Sequence, residues 1–344
     1  MDPDGRRIGA HLPLGQGMVR AVERAHALGL DTLQVFSDNP TAWRRRGAPP
    51  KELPAFRARI EELGMGPIAI HAAYLVNLAG SDRAFVERSI AVLATELRVA
   101  PAFGARFVNA HIGSHRGTDV ATGTARLADG IARVLAEVDD GPDAATVVLE
   151  NSAGSGDGLG ATLEEIADIV DSIAARGVPS SRVAVCLDTA HLWAAGYRIA
   201  DPIEVDRLVT EFDRLIGLDR LAMIHLNDSR SELGSRMDRH QHIGAGSIGA
   251  AGMRAVLVHP HLAGAAYYLE TPGMDEGYDA VNAARVHDLI AGRPLDELPP
   301  EAMNVRGSRS RTHPASDEGV LDEPATAPTT DPATAPPESA ETPR

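Results

Sequence analysis

Ile224-His225-Leu226-Asn227-Asp228 continues the apolar run Leu221-Ala222-Met223 and reads as a buried strand with a histidine at its end. Asp238-Arg239-His240 returns soon afterwards on a long loop. Side chains two residues apart in an extended chain face the same way, so Asp238 and His240 can point at one ion. A single histidine at a strand end is ordinarily a hydrogen-bonded core residue. Five other strand-like runs of this chain also close on His, Asp or Glu, and that recurrence organises the whole reading.

Short β-like runs alternate with longer runs of period 3.6 along the chain. Strands are expected over about 7–11, 31–36, 68–71, 106–111, 145–150, 183–188, 221–226 and 265–270. Helices are expected between and after them, the longest over about 81–103 with Ser81-Asp82 as its cap and Gly104 as its stop. Eight strands with following helices describe a parallel sheet, and eight is the number that closes a (β/α)8 TIM barrel. Runs such as Val147-Val148-Leu149 fit burial on both faces. A doubly wound open sheet would carry a Gly-rich dinucleotide fingerprint after its first strand, and the sequence has none there. The barrel is expected to fill residues 1–297. Residues 298–344 turn to Pro, Ala, Thr and acid, and read as a disordered tail.

With 344 residues and 44% hydrophobic content, the chain can bury a large core, and at 4% aromatic that core is mostly aliphatic. The one cysteine, Cys186, lies in an apolar run, so no disulfide forms within the chain and a reducing compartment is expected. Neither a signal peptide nor an apolar run of membrane-spanning length is evident. The expectation is a soluble cytoplasmic protein with no membrane and no obligate protein partner. A net charge of −15 argues at first against nucleic acid. The tail, however, holds eight acids against four arginines, and bound cations would invert the field of carboxylates that ligate them. Charge therefore leaves the partner open. Since Lys51 is the sole lysine, phosphate contacts fall to arginine and backbone N–H groups.

The residues closing the strands are His71, His111, Glu150, Asp188, His225 and Glu270, each about one βα repeat from the last. All would sit at the carboxyl ends of strands, the face where such barrels hold their chemistry. His191, Asp238 and His240 join them from loops. Four carboxylates gathered without cations would repel and protonate. Five histidines and four carboxylates match the ligands of two or three Zn²⁺ ions. The Gly-rich stretch Gly154–Gly160 lacks the lysine of a phosphate-binding loop and reads as a flexible connection. No Gly-x-Ser-x-Gly elbow occurs at a strand-to-helix junction. His11, His115 and His242 lie near the same rim, where structural roles are expected for them.

Ile8-Gly9-Ala10-His11, His71-Ala72-Ala73-Tyr74-Leu75-Val76-Asn77-Leu78, Glu150-Asn151-Ser152-Ala153-Gly154, Leu187-Asp188-Thr189-Ala190-His191, Ala195-Gly196-Tyr197 and His225 through His240 occur in one order. Together they resemble the endonuclease IV family of apurinic/apyrimidinic endonucleases, in the xylose-isomerase-like TIM barrel superfamily. The likeness runs from about Arg7 to Leu295, and its most specific motifs are Asp-Thr-x-His and Asp-Arg-His. It implies a deoxyribonuclease IV with three Zn²⁺ ions, Mn²⁺ being the alternative at one site. His71, His111 and Glu150 would hold one ion, Glu150, Asp188, His225 and Glu270 a second, and His191, Asp238 and His240 the third. It also implies hydrolysis of duplex DNA on the 5′ side of abasic sites, leaving a 3′-hydroxyl and a 5′-deoxyribose phosphate, and trimming of blocked 3′ ends. Glu150 and Glu270 would be catalytic, bridging two ions and orienting the attacking water. Extruding the abasic sugar costs least where the base is already lost.

For DNA contact the resemblance points to Tyr74 and Leu75 after the third strand, to Asn39, Trp43 and Arg44 after the second, and to Arg239. An aromatic-aliphatic wedge at Tyr74-Leu75 would hold base steps apart. Two positions depart from the family: Thr41 stands where arginine is common and Ala245 where glutamate is common. The run Arg44-Arg45-Arg46 offers replacement charge. A metal-dependent sugar isomerase or epimerase on the same barrel is the alternative function, although the His191/Asp238/His240 group is surplus to it. A lesion-binding protein without catalysis is a third reading, against which nine intact donors weigh.

Overall fold

Alternation along eight short strands builds the frame. The computed structural model describes residues 5–138 and 140–305, all within the compact unit Met1–Thr312. Its strands are β1 (Arg7–His11), β2 (Thr32–Val35), β3 (Ile68–His71), β4 (Ala105–His111), β5 (Thr146–Glu150), β6 (Val183–Asp188), β7 (Leu221–His225), a two-residue pair β8 (Asp228–Ser229) and β9 (His240–Gln241), and β10 (Ala266–Leu269). β1 to β7 and β10 pair in parallel and close, with β10 joining β7 to β1. That is the expected TIM barrel.

Nine α-helices occur among the described residues: α1 (Met18–Ala27), α2 (Leu53–Glu62), α3 (Arg83–Phe103), α4 (Val120–Ala136), α5 (Leu163–Ala174), α6 (Thr189–Ala195), α7 (Pro202–Leu215), α8 (Gly249–Val258) and α9 (Tyr278–Ile290). Their starts follow local chemistry. Asp82 caps α3 by accepting from the amides of Ala84 and Phe85, and Gly104 ends it at φ 70°. Asp119, Thr162 and Asp201 cap α4, α5 and α7 in the same way.

The strands have two sets of side chains. Ile68 and Ile70, Val147 and Leu149, and Val183 and Val185 belong to the large cluster that includes the helix residues. The alternate residues Ala69, Val148, Ala184, Cys186, Met223, Ala266 and Tyr268 form a separate small cluster, which fills the barrel interior. Two residues beyond these inward positions come His71, Glu150, Asp188, His225 and Glu270, so the period of two carries them into the barrel mouth. Among the described residues no helix is long and apolar enough to cross a membrane.

Three expectations change. The loop carrying Asp238 and His240 is a ribbon, because β8 and β9 pair antiparallel with Ser229 opposite His240. The stretch 154–160 is tied down rather than loose: Ser114 and Gly158 form a bridge, and the Leu159 amide donates to the Gly113 carbonyl at 3.0 Å. The boundary expected at 297 falls too early, since residues Pro300–Asn304 form a 3₁₀ turn and Nε2 of His242 donates to the Ala302 carbonyl at 2.8 Å. The remainder of the expected tail, from 306, lies outside the described residues.

Candidate metal centre

All nine expected donors meet at the carboxyl-end mouth of the barrel. His71, His111 and Glu150 offer ligand atoms within 4.8 Å of one another, as do Glu150, Asp188, His225 and Glu270, and Asp188, His191 and His240. Asp238 joins the last group, 3.2 Å from Nε2 of His191 and 3.1 Å from Nε2 of His240. Glu150 is central and buried. Its Oε2 lies 3.6 Å from His71 and 3.7 Å from His111, while Oε1 lies 3.3 Å from His225 and 3.4 Å from His191. Asp188 is shared more widely than its expected place in one group, because Oδ2 is 3.6 Å from Nε2 of His240.

Backbone carbonyls set the rings. Nδ1 of His71 donates to Ala72 O at 2.7 Å, that of His191 to Asn151 O at 2.8 Å, and that of His240 to Glu270 O at 2.8 Å. A carbonyl can only accept, so the proton is on Nδ1 and Nε2 keeps its lone pair for a ligand. Amides hold the carboxylates: Asn109 donates to Glu150 Oε2 and Asn227 to Asp188 Oδ2, each at 2.6 Å. Around a bound cation, such outer contacts orient the ligands.

The ribbon brings in its two ligands through a buried carboxylate. Asp228 is fully buried and accepts from the amides of Ser229, Gly246, Ile248 and Gly249. Gly246 is required there, because a Cβ would strike the Ser229 carbonyl and the Asp228 carboxylate. On the other side, α6 grips the ribbon: Trp193 Nε1 donates to Ser231 O at 3.0 Å, and the Arg236 amide to Ala194 O at 2.9 Å.

Without cations this mouth must neutralise itself with protons. Burial disfavours charge on His240, yet Asp238 and Asp188 hold its pKa at about 10. Burial likewise opposes charge on His191, which Asp188 and Asp238 nevertheless push well above the usual imidazole value. Glu150 is held well below the carboxylate range, against the effect of burial, by His225 and His111. His225 Nδ1, His240 Nε2 and Asp238 Oδ1 are buried and make no well-aligned hydrogen bond, the last two facing one another at 3.1 Å. A divalent cation would satisfy both the charge and these atoms, and a histidine–carboxylate donor set without thiolate fits zinc among the divalent metals.

The expected DNA-contact residues are distributed as follows. Tyr74 is 42% exposed, its ring centroid 5.6 Å from His71 and 6.2 Å from His111. Leu75 beside it is half-buried. Asn39 is exposed, and its Oδ1 accepts from the Thr41 amide and hydroxyl. Trp43 packs edge-on against Phe85 at 4.9 Å. Arg45 turns inward to Glu96 at 2.9 Å, while Arg44 and Arg46 are both exposed and Arg46 pairs with Asp38. Arg239 is half-buried on the ribbon. Of the other histidines, His11 reaches the mouth, with Nδ1 3.2 Å from Glu270. His115 lies 3.9 Å from Asp157 and His242 hydrogen-bonds Asn282, so both serve the loops.

Sequence reasoning missed Gln34, Asn109 and Asn227. Each follows from period-two alternation or from adjacency to a ligand, but an amide carries no ligand signature in a sequence.

The family model for the xylose isomerase-like TIM barrel matches residues 22–290. The probable endonuclease 4 of Chloroflexus aurantiacus is 38% identical over 287 residues, covering 83% of this chain and 99% of its own length. That of Methanoculleus marisnigri is 39% identical over 282 residues, covering 82% and 98%. Among solved structures, endonuclease IV from Thermus thermophilus superposes with a TM-score of 0.68 at 38% identity, over 82% of this chain and 99% of that one. An L-ribulose 3-epimerase superposes with a TM-score of 0.59 at 16% identity, over 83% and 93%, a likeness of fold alone.

Proposed function

The chain belongs to the endonuclease IV family of the xylose isomerase-like TIM barrels and is an endonuclease, and on that premise we propose that it hydrolyses the phosphodiester 5′ to abasic sites in duplex DNA. The products are a 3′-hydroxyl and a 5′-deoxyribose phosphate, and blocked 3′ ends are trimmed by the same site. The proposal includes three zinc ions, held by His71, His111 and Glu150, by Glu150, Asp188, His225 and Glu270, and by His191, Asp238 and His240. Bound there, the ions supply Lewis-acid polarisation of the phosphodiester and activation of water near neutral pH.

The protein's own residues do the rest. Glu150 and Glu270 fix the reacting geometry, Glu150 from between two groups of histidines and Glu270 from the far wall beside His225 at 3.5 Å. Tyr74 would act with Leu75 as the wedge that holds base steps apart, a reading supported by its exposure beside His71 and His111. Arg44 and Arg239 take phosphate contacts. A cytoplasmic setting, where the buried Cys186 stays a thiol, completes the proposal.

The observation that carries this reading is Glu150, a single buried carboxylate flanked by four histidines drawn from all three groups. The test uses an end-labelled duplex with one abasic analogue, beside the same duplex intact. We expect a single nick 5′ to the lesion, no nick in the intact duplex, and a loss of at least ~1,000-fold in Glu150→Gln. Equal cutting of both duplexes, or an unimpaired variant, would overturn the assignment.

A further inference from the structure

Two strands of the barrel place something other than an expected ligand at the mouth. β1 contributes His11 and β2 contributes Gln34, paired in register across the sheet. Gln34 is fully buried, and its side chain uses both ends of its amide. Oε1 accepts from Nε2 of His225 at 3.1 Å. Nε2 donates to Glu270 Oε1 at 2.6 Å and lies 3.1 Å from Nδ1 of His11.

We propose that Gln34 is the positioning residue that selects which nitrogen of His225 and which oxygen of Glu270 face the metal centre. This rests on the metal-dependent reading of the site above. Because Oε1 accepts a hydrogen bond from the His225 Nε2–H, the ring proton stays on Nε2 and Nδ1 keeps its lone pair. Nδ1 is the atom that faces Glu150 at 3.3 Å, Glu270 at 3.5 Å and Asp188 at 3.9 Å. Because Nε2 of Gln34 takes Glu270 Oε1, Oε2 is the oxygen left towards His225. The three histidines above have backbone carbonyls to set their rings, whereas His225 has this side chain instead. The amide accepts from the imidazole through one atom and donates to the carboxylate through another, which neither an ionised carboxylate nor an ammonium can do. The reversed amide would set its NH₂ against the His225 N–H and its oxygen against the carboxylate, so the observed orientation is the stable one.

The test measures zinc affinity by chelator competition, without DNA, in wild type, Gln34→Met and Gln34→Glu. Absorption of the cobalt-substituted proteins reports the ligand geometry. Methionine keeps the length and removes both hydrogen bonds. Glutamate keeps the acceptor for His225 but sets a second carboxylate against Glu270. Both variants should lose about 10–100-fold in affinity for one ion and change the cobalt spectrum. On abasic duplex kcat should fall by a similar factor while KM stays within about twofold. Should Gln34→Met fail to fold, the near-isosteric Gln34→Glu carries the test. Wild-type affinity and an unchanged cobalt spectrum in the folded variants would overturn the role of Gln34. Weakened zinc binding in variants of a protein that leaves abasic duplex intact would uphold it and refute the proposed substrate.

Discussion

Asp188 at the end of β6 and His240 on the ribbon stand 3.6 Å apart, Oδ2 to Nε2, and this contact joins the strand-borne donors to the ribbon-borne ones. The same carboxylate lies 3.9 Å from His225 Nδ1. One residue therefore serves two of the three groups.

Asp188→Asn keeps the shape of that side chain and removes its charge. The variant should hold fewer zinc ions per chain, with kcat reduced by more than the ~100-fold typical of outer contacts and KM little changed. Elemental analysis beside steady-state rates checks this. Full zinc content would show that Asp188 is not shared.

Tyr74→Ala should weaken binding to abasic duplex by about tenfold, the worth of one stacking contact, and leave zinc content unchanged. Arg44→Ala should lower the slope of log K against log salt by about one, whereas a slope equal to wild type would remove Arg44 from the phosphate contacts.

The loop carrying Arg44 is held down by a buried pair with its own pH signature. Burial pushes Glu96 up to about 7 from 4.5, outweighing the attraction of Arg45. Between those values the folded chain keeps a proton that the unfolded chain has lost. Stability present below pH 4.5 is therefore given up as pH rises through 7. In Glu96→Gln the decline of Tm over this window should be shallower than in wild type. Parallel Tm curves would contradict the assignment.

Much of this was legible in the sequence because it rests on repetition. Apolar runs such as Val147–Leu149 exclude a half-exposed strand, and ligands two residues beyond inward positions announce a shared mouth. The ribbon was not legible, since β8 and β9 are two residues each and are held by Asp228 reaching backbone amides around Gly246. α6 was hidden because its seven residues begin within the Asp188–His191 motif. Arg45 reads as one of three equivalent surface charges until α3 brings Glu96 against it. Gln34 reads as a polar interruption of β2 until His225 and Glu270, both far along the chain, close on it.

The proposed role of cations among these nine donors is tested most directly by cleavage of abasic duplex by one preparation before and after prolonged chelation, with its zinc content measured in parallel. We expect zinc and nicking to be lost together and to return together when zinc is restored. Undiminished nicking by protein shown to be free of metal would contradict it.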